Sequence, residues 1–175
     1  MAITDKEQGV WITEQVYNKQ MEGGIWVYNG DGAGYVWGRN DEGGLGINLS
    51  SNSESRSSPT QIPGPWKEMS VTGDNNYGIK TDGTLWGWGN NEYGELGQNT
   101  TQKVSSPIQI GTETTWRRIT NWPGGGMATK TDGTLWMWGK NDNGMLGQNQ
   151  GEPSVGRYSS PIQIPGTWSD NFEAG

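Results

Sequence analysis

The chain has 175 residues, long enough for one domain, of which only 30% are hydrophobic, and it contains 30 glycines and 11 tryptophans. It has neither cysteine nor histidine, which excludes disulfides, thiolate nucleophiles, the commonest general base and the commonest zinc ligand. Its net charge of −7 repels phosphate backbones, so we expect no nucleic-acid partner.

The first 22 residues precede the repeated part of the chain and are predicted to form a separate N-terminal segment, 1–22. Ile12 and Val16 lie near helical spacing, Thr13 can cap the start, and Gly23-Gly24 provides a stop. A helix of about nine residues is marginal alone. We therefore expect it either to cap the end of the repeat domain or to anchor the chain on another subunit.

The repeat domain is predicted to span 23–175 and to contain three units, at approximately 23–70, 71–120 and 121–170. The first block of each unit is nearly the same sequence, with copies at GDGAGYVWGRNDEGGLG (30–46), TDGTLWGWGNNEYGELGQN (81–99) and TDGTLWMWGKNDNGMLGQN (131–149). The second block recurs as SSPTQIPGPW (57–66), SSPIQIGTETTW (105–116) and SSPIQIPGTW (159–168). A period of about 50 residues is typical of stacked repeat folds.

Each unit is predicted to be β structure. An Asp-Gly pair between two runs indicates a hairpin with a type I′ turn, in which both residues have positive φ. The pairs are Asp31-Gly32, Asp82-Gly83 and Asp132-Gly133. Beyond the turn, Trp86 and Trp88 are two residues apart and share one strand face, whereas Gly87 faces the other way.

A small sheet cannot bury such a tryptophan face alone, so we expect neighbouring units to stack and cover it. Large rings beside glycine suit close packing of one sheet on the next. The residues predicted to form this repeat core are Trp37, Leu45, Trp66, Trp86, Trp88, Leu96, Trp116, Trp136, Trp138, Leu146 and Trp168.

The unit TDGTLWxWGxNxxGxLG…SSPxQI…W resembles the regulator-of-chromosome-condensation repeat over residues ~25–170. The resemblance implies an all-β, propeller-like chain with about three four-stranded units. Members of that family typically close a ring of seven units. Three units therefore imply a ring completed by several chains, an open arc docked on something larger, or a piece of a longer protein.

The N-terminal stretch GVWITEQVYNKQMEGGIW (9–26) is similar to short segments that open tail and virion proteins of marine and cyanobacterial phages. This second resemblance implies an anchor formed by Trp11, Val16, Tyr17 and Trp26. It also implies a virion location after assembly in the host cytoplasm, with other virion proteins or copies of the chain as partners.

We predict no catalytic residue, no metal site and no cofactor. Glu92 and Glu95 follow Trp88, but the third unit has Met145 in place of Glu95, so no acidic pair repeats. The Asp/Asn-rich loops do not match the ligand spacing of a calcium loop. No apolar run approaches the ~20 residues that span a bilayer, so no membrane insertion is expected.

The sequence thus predicts a non-enzymatic structural or interaction protein, first of all a phage virion component such as a capsid decoration, tail, baseplate or fibre element. One alternative is a cellular protein-binding propeller, since the resembled family includes an exchange factor for a small GTPase and a secreted β-lactamase inhibitor. Another is a tip protein for a host glycan or receptor, in which the loop residues Tyr93, Trp122 and Tyr158 stack on sugars.

Overall fold

A computed structural model of the chain describes residues 32–49, 55–149 and 156–168. The described residues form ten strands and one short 3-10 turn, Asp142–Gly144. The strands are β1 (Gly34–Gly38), β2 (Arg56–Ile62), β3 (Trp66–Val71), β4 (Asn75–Lys80), β5 (Leu85–Gly89), β6 (Val104–Ile110), β7 (Trp116–Trp122), β8 (Gly125–Lys130), β9 (Leu135–Lys140) and β10 (Arg157–Ile164).

The strands form three antiparallel sheets that follow chain order. Strands β1 and β2 make the first sheet, β3 to β6 the second, and β7 to β10 the third. The prediction of an all-β chain with propeller-like units is confirmed, although the first sheet has two strands in the described part of the chain. In that part, no helix has the length and apolar character that a membrane crossing requires.

Several predictions concern residues outside this description. The predicted N-terminal helix, the anchor residues Trp11, Val16, Tyr17 and Trp26, and Asp31 of the first turn lie there. The border between the N-terminal segment and the repeat domain lies there as well, so it stays a prediction.

The tryptophan that ends the second sequence block of each unit lies at the border with the next part of the chain. Trp66 opens β3 and Trp116 opens β7, so each four-stranded sheet begins with the last residue of the preceding block. The backbone N–H groups of Trp66, Trp116 and Trp168 donate to the turn glycines Gly32, Gly83 and Gly133, at 2.7, 3.2 and 3.2 Å. Each unit is thereby joined to the next by hydrogen bonds as well as by the chain.

The Asp-Gly hairpins occur where they were predicted in the second and third units, but the predicted type I′ turn is wrong. Gly83 N–H donates to the Lys80 carbonyl at 2.9 Å, and only Gly83 has positive φ, at +80°. The Asp82 carboxylate accepts both the N–H and the O–H of Thr84, at 3.0 and 2.6 Å. This local pairing is compatible with a type I turn followed by a left-handed glycine, so Asp82 needs no positive φ.

In the second sheet, Trp86 and Trp88 lie on one face, which is directed toward the first sheet. Trp88 is fully buried in a cluster with Val36, Leu45, Ile62 and Trp66, so it packs on the first sheet. Trp86 is half-buried at the margin of the same cluster.

Gly87 lies on the opposite face. A Cβ there would be 3.1 Å from Ile110 Cδ1 and 3.3 Å from Tyr77 Cδ1. Glycine therefore leaves room for a second core between the second and third sheets, where Trp138 meets Tyr77 edge-on at 5.5 Å between ring centroids.

Two residues of the predicted core differ from that pattern. Trp37 is 63% exposed, whereas Trp88 and Trp138 at the matching positions are 0% exposed. The reason is topological: among the described residues, no sheet packs on the outer face of β1. Trp168 is only half-buried, because it lies at the end of the array beyond β10.

Candidate interaction surface

Among the described residues, two exposed aromatic side chains lie on the first sheet. Along β1, Val36 points inward at 3% exposure, whereas Tyr35 and Trp37 point outward at 52% and 63%. Gln61 pairs with Tyr35 across the sheet, and Pro59 lies two residues before it on β2. We call the surface formed by Tyr35, Trp37, Pro59 and Gln61 the outer aromatic face.

The matching tryptophans show what such a face binds in this fold. Trp88 Nε1–H donates to the Gly44 carbonyl at 2.9 Å, and Trp138 Nε1–H donates to the Glu95 carbonyl at 2.6 Å. Each ring therefore combines apolar packing with one hydrogen bond to a loop carbonyl of the preceding unit. An exposed tryptophan at this position presents the same combination to a partner.

A buried asparagine fixes the loop that carries this carbonyl. The side-chain oxygens of Asn40, Asn91 and Asn141 accept the backbone N–H groups of Leu45, Leu96 and Leu146, at 3.0, 2.8 and 3.1 Å. All three asparagines are at most 1% exposed. The sequence-based prediction missed them, although Trp-Gly-x-Asn recurs in every unit and was the signal available.

A cleft of about 450 Å³ lies where the first and second sheets meet. Its walls include Ile47, Thr60, Pro63, Lys80, Trp86 and Pro107. Lys80 Nζ lies 3.4 Å from the centroid of the Trp86 ring, which is within the range of a cation–π contact. Burial lowers the pKa of Lys80 from its ordinary value.

The residues predicted to stack on sugars are less exposed than expected. Tyr93 lies in the turn after β5 with Lys140 Nζ 4.7 Å from its ring centroid, whereas Trp122 and Tyr158 lie in β7 and β10 and not in loops. All three are half-buried. The Trp122 ring covers the next turn, since a Cβ at Gly125 would be 2.8 Å from Trp122 Cζ2.

The acidic residues near the turns have structural contacts. Glu95 is 1% exposed and its carboxylate accepts the Tyr93 N–H at 2.7 Å. Burial raises the pKa of Glu95, and hydrogen bonds from the backbone N–H groups of Glu95 and Tyr93 oppose this shift only in part. Within residues 32–49, 55–149 and 156–168, no group of three or more acidic, cysteine or histidine side chains is placed to hold a metal ion.

Comparison with known proteins identifies the repeat. The family model for the Regulator of chromosome condensation (RCC1) repeat matches residues 31–78, 82–122 and 132–172. A human relative, Probable E3 ubiquitin-protein ligase HERC3, is 29% identical over 84 residues, which cover 46% of this chain and 8% of that protein.

Solved structures show the same fold. Human WBSCR16 superposes with a TM-score of 0.65 at 25% identity, over 77% of this chain and 34% of its own. Prp20p from Saccharomyces cerevisiae, reported with its binding properties to Gsp1p and histones, gives 0.68 at 16% identity, over 78% and 35%. Yeast RCC1 (Prp20) in complex with Kap60 gives 0.67 at 17% identity, over 78% and 34%. The chain therefore spans about a third of these solved structures.

Proposed function

Because the chain belongs to the Regulator of chromosome condensation (RCC1) repeat family, we propose that it is a protein-interaction module without a catalytic step of its own. The observation that carries this proposal is the exposure of Trp37 and Tyr35, at 63% and 52%. Burying a large apolar side chain contributes about 1.5–3 kcal/mol. The outer aromatic face can therefore contribute substantially to binding another polypeptide. The reported partners of Prp20p, which are proteins, agree with this class of function.

The partner is a different polypeptide and not a second copy of the chain. Within this fold, a tryptophan face packs on a face like the one formed by Tyr77, Leu85 and Ile110. At the far end of the array, the matching residues Leu135 and Ile164 are only 4% and 6% exposed, whereas Met127, which matches Tyr77, is half-buried. Among the described residues, a second copy thus offers a face of that kind that is only partly open.

Site-specific photo-crosslinking in the organism of origin tests this proposal. A benzophenone side chain at Tyr35 should give an adduct with one defined polypeptide, and Trp37→Lys should abolish it. Lys67, which is exposed on β3, is the matched control position and should give no such adduct. Identical adducts from both positions, or none from Tyr35, would contradict the proposal.

The more specific prediction, a component of a phage particle, rests on the resemblance of the N-terminal stretch, on the low number of repeat units, on the low aliphatic content and on the absence of recognisable catalytic residues. The proteins named above come from Homo sapiens and Saccharomyces cerevisiae, which agrees better with a cellular protein-binding role. Mass spectrometry of purified particles would decide between the two: the chain is present in stoichiometric amounts if it is a virion component, and absent if it is not.

A further inference from the structure

The two junctions between sheets contain the same lysine and tryptophan but differ in what neutralises the lysine. At the junction of the second and third sheets, Lys130 Nζ lies 3.7 Å from the Trp136 ring centroid and 2.6 Å from Glu113 Oε2. At the junction of the first and second sheets, Lys80 and Trp86 are arranged alike. None of the ion pairs among the described residues involves Lys80.

The length of one connection explains the difference. Residues 111–115 connect β6 to β7 and include Glu113, whereas residues 63–65 connect β2 to β3 and contain no acidic residue. The acidic residue that acts electrostatically on Lys80 is Asp82. Its carboxylate already accepts hydrogen bonds from the N–H and the O–H of Thr84. The shorter connection thus leaves a lysine whose partly buried ammonium group has no carboxylate beside it.

The walls of the first junction also differ from those of the second. Thr60 and Ile47 occupy the positions that Ile108 and Gln98 have in the second junction, where Gln98 Nε2 donates to the Gln109 carbonyl at 2.6 Å. Ile47 cannot make that bond, and Thr60 is smaller than Ile108. Both residues line the cleft of about 450 Å³, together with Lys80 and Trp86.

We propose that this cleft binds a carboxylate side chain of a partner polypeptide, in the place that Glu113 has relative to Lys130. Lys80 provides the cation, and the apolar part of the incoming side chain packs between Trp86 and Pro107. Charge complementarity supports this occupant, because a partly buried ammonium group without an acidic partner is completed by a carboxylate. The inference deepens the proposed function and rests on it in so far as the ligand belongs to a protein.

A peptide taken from the chain itself is a suitable probe. The capped octapeptide QIGTETTW reproduces residues 109–116, with Glu113 in the middle. It is titrated into the isotope-labelled full chain, and the indole N–H signal of Trp86 is followed by NMR. We expect a saturable shift with a dissociation constant on the order of 1 mM, from apolar packing and one ion pair together. The peptide with Glu113→Gln should bind about threefold to fivefold more weakly, which is the most that a partly exposed ion pair provides.

Variants of the chain separate charge from folding. Lys80→Gln should lose the shift, Lys80→Arg should retain it, and Lys67→Gln on the same sheet should leave it unchanged. A dispersed amide spectrum and an unchanged melting temperature show that each variant is folded. Equal binding of the two peptides, or no shift of Trp86 up to about 10 mM peptide, would overturn the proposal. If the titration fails while the Tyr35 adduct forms, only the cleft proposal is lost. If the titration succeeds but Tyr35 gives no adduct, only the proposal that the outer aromatic face binds a partner is lost.

Discussion

At the scale of single residues, one tryptophan position has two fates in the same chain. Trp88 and Trp138 are fully buried, and each also donates a hydrogen bond to a loop carbonyl. Trp37 has the matching position in the first unit and is followed by the same Gly-x-Asn, but it is mostly exposed. Among the described residues, no sheet lies against its ring.

This contrast predicts different costs for the same substitution. Trp88→Ala should lower the free energy of unfolding by about 3–5 kcal/mol, because it leaves a large cavity between the first two sheets. Trp37→Ala in the isolated chain should change it by less than about 0.5 kcal/mol. Urea unfolding followed by circular dichroism measures both. Comparable losses for the two variants would mean that Trp37 is not exposed in solution.

The buried carboxyl group of Glu95 predicts a pH dependence. Because its pKa in the folded chain is raised, the folded state holds the proton more tightly than the unfolded state. The stability that this proton provides is complete below the ordinary pKa and is lost as the pH rises through the folded-state pKa. Glu95→Gln should therefore flatten the decrease in stability that sets in as the pH rises above the ordinary pKa of a glutamate, about 4.3.

The control for this prediction is Glu92→Gln, which changes an exposed carboxyl group in the same turn and should leave most of that slope in place. Unfolding in urea at a series of pH values gives the slope for each variant. An unchanged slope in Glu95→Gln would show that another group titrates there.

At the scale of elements, the hairpin turns are identical in backbone conformation but not in surroundings. Gly83 and Gly133 both have φ of +80°, which L residues other than glycine adopt only with strain. A Cβ on Gly83 would lie 2.0 Å from the Thr114 carbonyl oxygen, whereas the nearest atom to a Cβ on Gly133 is the Trp168 carbonyl oxygen at 3.8 Å. Of these two hairpins, only the one with Gly83 has the connection to the following sheet packed on its turn.

Alanine substitutions at Gly83 and Gly133 separate the cost of backbone strain from the cost of a steric clash with a neighbouring segment. Gly133→Ala should cost about 1–2 kcal/mol, the price of the left-handed conformation alone. Gly83→Ala should cost about 1–3 kcal/mol more, because the backbone of the next unit must move. The urea concentrations at the midpoints of unfolding of the two variants give the comparison. Equal costs would show that the contact between Gly83 and Thr114 yields without loss of stability.

At the scale of the whole molecule, the two ends of the array are not equivalent. Trp37 of the outer aromatic face is 63% exposed at one end, whereas at the other end Leu135 and Ile164 are buried and Met127 is half-buried. Head-to-tail association of copies needs two complementary open faces. The ends therefore favour a partner of another kind over ring completion by copies.

We accordingly expect the purified chain to be monomeric from about 1 to about 100 µM, as measured by light scattering after size exclusion. The Trp37→Lys variant should also have the mass of a monomer in solution, since the substitution removes no contact between copies. A dimer or trimer that forms with increasing concentration and is lost in Trp37→Lys would place the partner surface on a second copy.

The sequence by itself determined the local structure, because that structure depends on near neighbours. The Asp-Gly hairpins, the alternation of Trp86, Gly87 and Trp88, and the buried Leu96 and Leu146 all follow from turn chemistry and from the period of two along a strand. The same periodicity was sufficient to predict the all-β, repeated architecture. The details of the turn were mistaken because Thr84 pairs with Asp82, a local contact that the Asp-Gly rule does not include.

Only the tertiary structure decided which copies of these residues are buried and which are available to a partner. The matching positions of Trp37 and Trp88 do not reveal which ring is buried, since burial depends on the sheet that lies opposite. Lys80 and Lys130 likewise occur in matching positions, yet Glu113 reaches only one of them because one connection is longer. The outer aromatic face arises where no described sheet covers the repeat, and the cleft arises where two sheets meet beside the shorter connection, so packing between units decides both.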